Sequence, residues 1–209
     1  MRRLISFLVI AAVLGAAAFF MTTHPQAYTT IRGDGALEPT RTRDLENGKT
    51  LFHAGGCASC HAAPDDETRM RLSGGKPLVT PFGTFYPPNI SPDKKDGIGN
   101  WSEAQFIRAM REGVSPQGQH YYPAFPYSSY RGMNADDVAD IFAYLKTLPA
   151  VEGKAPAHDL AFPYSIRQGV GFWKLLYLAG SVITPDTKQS AEWNRGRYLV
   201  ESAGHCAEC

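Results

Sequence analysis

Cys57-Ala58-Ser59-Cys60-His61 constrains this chain more than any other run of its residues. The spacing is C-x-x-C-H, the attachment pattern of a c-type haem. On a helix Cys57 and His61 share one face, with Cys60 beside them. Two thiols so placed reach the two vinyl groups of one porphyrin, and the imidazole reaches its iron. Three other uses stay open on the motif alone. A thioredoxin-like redox pair expects a βαβ context, which the flanking residues lack. A zinc site shared with Cys206 and Cys209 needs thiols far beyond zinc-ribbon spacing and leaves His61 without a role. A structural disulfide is permitted in an exported protein.

Arg2 and Arg3 precede an uncharged apolar run, Leu4 to Met21. As a helix this run is about 27 Å long, close to the ~30 Å of a hydrocarbon core. Ala16-Ala17-Ala18 resembles a signal-peptidase site, yet Phe19-Phe20-Met21 continues the apolar run beyond it. Residues 1–22 are therefore expected to be a signal anchor that stays in place. The arginines remain cytoplasmic and the bulk is exported, which suits c-type haem attachment in bacteria. The expected location is the bacterial inner membrane, with a single N-terminal anchor and the bulk in the periplasm. A net charge of +1 leaves no basic excess for phosphates, which argues against nucleic acid as a partner.

After a polar tether over 23–42, periodic sequence begins at Asp44, a candidate N-cap. A first helix carries Gly48, Leu51 and Phe52 and stops at Gly55-Gly56. Residues 62–100 hold many prolines and glycines with little period, a long loop suited to wrapping a haem edge. A second helix opens at Ser102, which forms a capping box with Gln105, and ends at Gly113. Tyr121, Tyr122, Phe125, Tyr127 and Tyr130 then form an aromatic cluster, read as core and as haem-pocket lining. A third helix starts at Asn134 and carries Val138, Ile141, Phe142 and Leu145. Gly48 lets the first helix approach the last, with Phe52 and Tyr144 at the crossing. The fold class is all-α: residues 43–150 as one haem domain of three main helices and long loops, behind the membrane anchor.

Residues 151–190 read as a connector. Its interrupted apolar segment 170–178 is too short to span a membrane, and is expected to pack on a domain or lie at the membrane interface. At 191–209 the pattern restarts. Arg195-Gly196-Arg197-Tyr198-Leu199 parallels Asn47-Gly48-Lys49-Thr50-Leu51, and Cys206-Ala207-Glu208-Cys209 parallels the first C-x-x-C. Glycine to first cysteine is 10 positions here (206 − 196) and 9 there (57 − 48), a repeat with one inserted residue. The expectation is an incomplete second haem domain, cut before its histidine. Cys206 and Cys209 are its candidate haem-binding residues.

The iron's sixth ligand in electron carriers is commonly methionine. Met1 and Met21 belong to the anchor and Met110 to a helix core. Met70 lies near the haem motif in a polar stretch. Met133, between the aromatic cluster and the third helix, is the expected ligand, making His61 and Met133 the iron-binding pair. His120 is the histidine alternative, more plausibly a polar residue near a propionate or at the surface.

Further runs complete the pattern: Thr80-Pro81-Phe82-Gly83-Thr84, Pro88-Asn89-Ile90-Ser91-Pro92-Asp93, Gly97-Ile98-Gly99-Asn100-Trp101 and Tyr122-Pro123-Ala124-Phe125-Pro126-Tyr127. With the two C-x-x-C segments, these resemble the dihaem or multihaem cytochrome c subunits of membrane-bound bacterial dehydrogenases acting on alcohols, gluconate and other polyols. The resemblance implies class I cytochrome c domains in series with covalent haem c and His/Met iron. It implies electron transfer, not catalysis, from a membrane-bound or periplasmic dehydrogenase to quinone, another cytochrome or a terminal oxidase. Many relatives have methionine where this chain has Phe125, which strengthens Met133. The alternative is a haem enzyme, peroxidase-like or thiosulfate-oxidising, with an open or differently ligated iron; a redox or gas sensor is a further rival.

Overall fold

The computed structural model describes residues 2–27 and 38–208. Part of the tether and all of Cys209 lie outside these. The apolar amino terminus forms α1 (Arg2–Thr23), whose only buried residue is Thr23. It is 22 residues long and contains an 18-residue stretch with a mean hydropathy of 2.6, long and apolar enough to cross a membrane.

The caps act where the sequence places them. Asp44 opens α2 (Leu45–Ala54) by accepting from the Asn47 amide at 3.0 Å. A left-handed Gly56 then turns the chain into α3 (Cys57–His61), a single turn. Ser102 opens α4 (Glu103–Glu112) with both capping-box bonds, 3.2 Å from the Gln105 amide and 2.9 Å back to Gln105 Oε1. The short α5 (Tyr127–Tyr130) precedes α6 (Ala135–Leu145), where Asn134 accepts from the Asp137 amide at 2.7 Å. Leu51 and Phe52 of α2, Phe106, Ile107 and Met110 of α4, and Val138, Ile141, Phe142 and Leu145 of α6 share one core.

The α2–α6 crossing rests on Gly48. A Cβ there would lie 2.5 Å from the Asp140 carbonyl carbon, nearer still to its oxygen, and 3.1 Å from Tyr144 Cβ. Phe52 and Tyr144 meet beside it, ring centroids 5.4 Å apart. Alanine would otherwise gain about 1 kcal/mol of helix propensity over glycine. The clash reverses this sign: Gly48→Ala is expected to destabilise the domain by about 1–3 kcal/mol in denaturant unfolding, because backbone must move. Asp140 itself is fully buried; its carboxylate accepts from Arg41 at 2.5 Å, Asn47 Nδ2 at 2.8 Å and the Asp44 amide at 2.8 Å.

Residues 62–100 are not wholly irregular. β1 (Leu78–Thr80) and β2 (Gly83–Phe85) form an antiparallel hairpin, and β3 (Asp159–Leu160) pairs with β2. The segment read as a connector thus supplies a strand to the first domain. It also supplies α7 (Gly169–Tyr177), whose Lys174 is fully buried and donates to the Glu112 and Gly113 carbonyls at 2.6 and 2.7 Å. Burial pushes the Lys174 ammonium down to about 7, opposed by the Glu112 carboxylate and aided by Arg108. Unfolded, a lysine keeps its proton to about pH 10.4. Between about pH 7 and 10 the unfolded chain holds a proton that the folded chain has released, so stability rises with pH across that window. Lys174→Met is expected to flatten that slope in denaturant melts taken at several pH values.

The repeat at the carboxyl side begins with α8 (Ala191–Tyr198), capped by Ser190. A π-turn over Leu199–Ala203 follows, closed by the Gly204 amide on the Leu199 carbonyl at 2.7 Å. A π-turn absorbs one extra residue without breaking a helix. This is the physical form of the inserted residue seen in the sequence. Tyr198 and Ala203 enter the first domain's core, and Arg195 donates to Asn47 Oδ1 at 3.1 Å.

Candidate haem site

Cys57 and Cys60 are free thiols, both half-buried on α3. Burial pushes the Cys57 thiol up to about 12, so it stands protonated and neutral. His61 follows on the same turn, also half-buried, with its Nδ1 2.8 Å from the Pro88 carbonyl oxygen. A carbonyl only accepts, so Nδ1 carries the proton and donates. Burial lowers the imidazole pKa, against the Pro88 hydrogen bond. The ring is therefore neutral with Nε2 bare, the tautomer an iron ligand requires, and its orientation is fixed from behind.

The loop that brings Pro88 to His61 is tied down at several points. The Gly74 amide donates to the His61 carbonyl at 2.8 Å, and the Ile90 amide to Leu72 at 3.0 Å. Asn89 is buried and donates to the Val151 and Gly153 carbonyls at 2.6 and 2.9 Å, while its Oδ1 accepts from the Ser91 amide at 2.9 Å. The Pro88–Asp93 run thus fastens the His61 partner to the segment after α6. Asn89→Ala removes three hydrogen bonds from a buried position, leaving the Ser91 amide without its Oδ1 acceptor and the Val151 carbonyl with Ser91 Oγ alone. It is expected to cost about 1–3 kcal/mol in denaturant unfolding; Asn89→Asp should not rescue, since it has no donor to offer.

Met133 is fully buried in the cluster that Cys57, Ala58, Met70 and Phe125 pack against. Tyr130 joins them: its hydroxyl donates to the Gly55 carbonyl at 3.3 Å, and its ring lies 5.7 Å from that of Phe125. Burial raises the Tyr130 phenol well above its ordinary value, and negative charge on Cys57 and Cys60 would raise it further. The phenol thus stands neutral beside the two thiols. Cys57, Met133, Tyr130 and Phe125 thus share one cluster, and Cys60 and His61 follow Cys57 on the same turn. This donor set fits a covalent haem: thiols for its vinyl groups, nitrogen and sulfur for its iron.

The aromatic cluster is divided. Tyr130 belongs to this region, Tyr127 and Tyr121 pack with Leu178 and Trp173 in a second cluster, and Phe125 touches both. Tyr122 meets Phe85 and His158. His120 is buried rather than exposed, and its Nε2 donates to the Thr23 carbonyl at 2.7 Å, at the end of α1. Cys206 is exposed on a short 3-10 turn. That turn docks on the first motif: His205 Nε2 lies 3.3 Å from the Gly55 carbonyl, and Glu208 accepts from Ser128 and Ser129 at 2.8 and 2.7 Å.

Comparison with known proteins identifies the family of the domain that carries these residues. The cytochrome c family model matches residues 45–149. All of the chain aligns at 46% identity with a dihaem cytochrome c-type protein of Cereibacter sphaeroides, covering 69% of that protein. At 45% identity, 79% of the chain aligns with a nicotinate dehydrogenase subunit from Pseudomonas putida, covering 14% of it. At 38% identity, 79% aligns with the fructose dehydrogenase cytochrome subunit of Gluconobacter japonicus, covering 34% of it. The chain thus spans about a third or less of the last two. On the match of residues 45–149 and the likeness to the dihaem protein, this chain belongs to the cytochrome c family.

Proposed function

We propose that this protein is the electron-transfer subunit of a dehydrogenase complex, held at the membrane by α1 with its bulk in the periplasm. Cys57 and Cys60 would hold a haem c by thioether bonds, and His61 Nε2 and the Met133 sulfur would bind its iron. The observation that carries this reading is the His61 Nδ1 bond to Pro88, which leaves Nε2 bare above a turn with two free thiols. When bound, the haem supplies a reversible one-electron couple. The chain's own residues do the rest. Pro88 orients the imidazole, Met133 would offer its sulfur to the iron, and Phe125 and Tyr130 would keep water from the cluster around Met133. An iron held by both His61 and Met133 would favour a carrier over an oxygen-activating enzyme.

A dehydrogenase as the electron donor is supported by the names of two relatives, a nicotinate dehydrogenase subunit and a fructose dehydrogenase cytochrome subunit. The acceptor is quinone, another cytochrome or a terminal oxidase. Residues 43–150 would form the first haem domain, with 151–190 a connector that packs β3 and α7 onto it, and 191–209, docked on the same core through Tyr198 and Ala203, would belong to a second domain built on Cys206 and Cys209. The test is the optical spectrum and haem content of the chain matured in a host competent for haem attachment. One covalent haem at the first motif, with the weak methionine–iron charge-transfer band, is the expected result. A chain without covalent haem overturns the reading.

A further inference from the structure

Among the described residues, eleven large apolar side chains are exposed outside α1, and six of them lie within 162–177: Phe162, Tyr164, Ile166, Phe172, Leu176 and Tyr177. A cluster this dense on an otherwise polar surface marks an interaction site. On α7, Val170, Gly171, Lys174 and Leu178 face inward, which leaves Phe172 and Leu176, one turn apart, facing outward. Phe82 extends the patch, its ring 4.8 Å from that of Tyr164.

Position decides what covers this surface. α7 packs on the end of α1. A Cβ on Gly171 would meet the Thr23 carbonyl carbon at 2.8 Å, so the two backbones touch. The Thr23 carbonyl also accepts from His120, whose own carbonyl accepts from Arg167 Nη1 at 3.0 Å. The α7 part of the patch, which begins at Phe172 next to Gly171, therefore lies beside the point where the apolar helix ends. Its composition suits that level. No Asp or Glu occurs between Asp159 and Asp186, and the charges in that stretch are Arg167 and the buried Lys174. Tyrosine and phenylalanine with a polar or basic rim are the side chains that settle at headgroup depth.

We propose that the face formed by residues 162–177 is immersed in the lipid–water interface, so that the haem domain lies on the bilayer beside its anchor. This rests on the reading of α1 as a membrane anchor. Its consequence is a fixed orientation of the domain over the membrane instead of free motion on the tether.

The test places the haem-loaded full chain in phosphatidylcholine–phosphatidylglycerol vesicles containing a photoactivatable lipid with its diazirine near the headgroup. Labelled peptides are mapped by mass spectrometry. Peptides of α1 and of 162–177 are expected to be labelled several-fold above those of α4. Labelling of α1 with 162–177 at the α4 level overturns the proposal, and is the result a face reserved for a protein partner would give. Absence of label on α1 itself overturns the anchor reading and the proposal with it. The triple variant Phe172→Ser, Leu176→Ser, Tyr177→Ser changes exposed positions only, and haem content reports its fold. It is expected to lose label on 162–177 while keeping it on α1. Unchanged labelling of 162–177 would mean that the anchor alone brings lipid near, and overturns the proposal.

Discussion

Changing Cys57 and Cys60 together to serine is expected to abolish covalent haem and, with it, cooperative folding of residues 43–150. The reason lies in how little of the domain is self-sufficient. α2, α4 and α6 pack on one another, but α3 is a single turn and residues 62–77 contain no helix or strand. That stretch and the loop before α4 reach the core through Leu72, Ile90 and Ile98 and through isolated hydrogen bonds such as Gly74 to His61. A bound haem adds apolar surface to just this region, and any group held only by the folded chain stabilises it. Domains are stable by only about 5–15 kcal/mol, so losing one central apolar group threatens the whole. Haem per chain should fall from one to none, and the circular dichroism melt should lose its sharp transition. Cys206→Ser, by contrast, is expected to keep the haem at the first motif. A double-serine variant that melts like the parent would show that the helices, not the cofactor, hold the domain.

What the sequence made legible follows the range of the interactions. Asp44, Ser102 and Asn134 cap their helices through bonds to residues three positions on, so the helix starts could be read locally. Gly48 was readable because a glycine in mid-helix, in phase with Phe52, needs a close neighbour to justify it. The thiols and imidazole of α3 are contiguous, and the chemistry dictates their order. Pro88 was not readable as the partner of His61, because the contact uses a backbone carbonyl that any residue provides. His120 pairs with Thr23 across 97 positions, which made surface exposure the natural but incorrect expectation. β3 is hidden for the same reason: two residues long, it carries no period of its own and exists only by pairing with β2. The β1–β2 hairpin is local, but strands of three residues are too short to show an alternation. The docking of α8 through Arg195 and Tyr198 is equally long-range. The extra residue was visible in the repeat, yet only the backbone reveals that it becomes a π-turn.

Met133→Ala is the sharpest test of function. Met133 is fully buried, and it follows Tyr130 through a tight turn, its amide donating to the Tyr130 carbonyl at 3.0 Å. Its side chain is therefore held by the segment that carries the aromatic wall, and no neighbouring methionine can move into its place without rebuilding that turn. Met70 packs against the same cluster, but its amide is tied to Asp66 Oδ2 at 2.8 Å within a separate hydrogen-bonded loop. Truncation at position 133 should leave the thioethers and His61 in place, so haem content stays at one per chain. The methionine–iron band should vanish, and carbon monoxide or imidazole should bind where neither bound before. The reduction potential should fall by a substantial part of the roughly 0.8 V range that axial ligands span, because a thioether favours ferrous iron. The truncation also leaves a cavity in a close-packed region, costing about 2–5 kcal/mol of stability. Met133→Leu separates the two effects: it refills most of the volume and should restore stability while leaving the band absent and the potential low. If Met133→Ala keeps the band, the sulfur belongs to Met70, and Met70→Leu should then remove it. If both variants lower stability alone and leave spectrum and potential unchanged, the sixth position is not held by sulfur, and the carrier reading gives way to an iron with a different ligand.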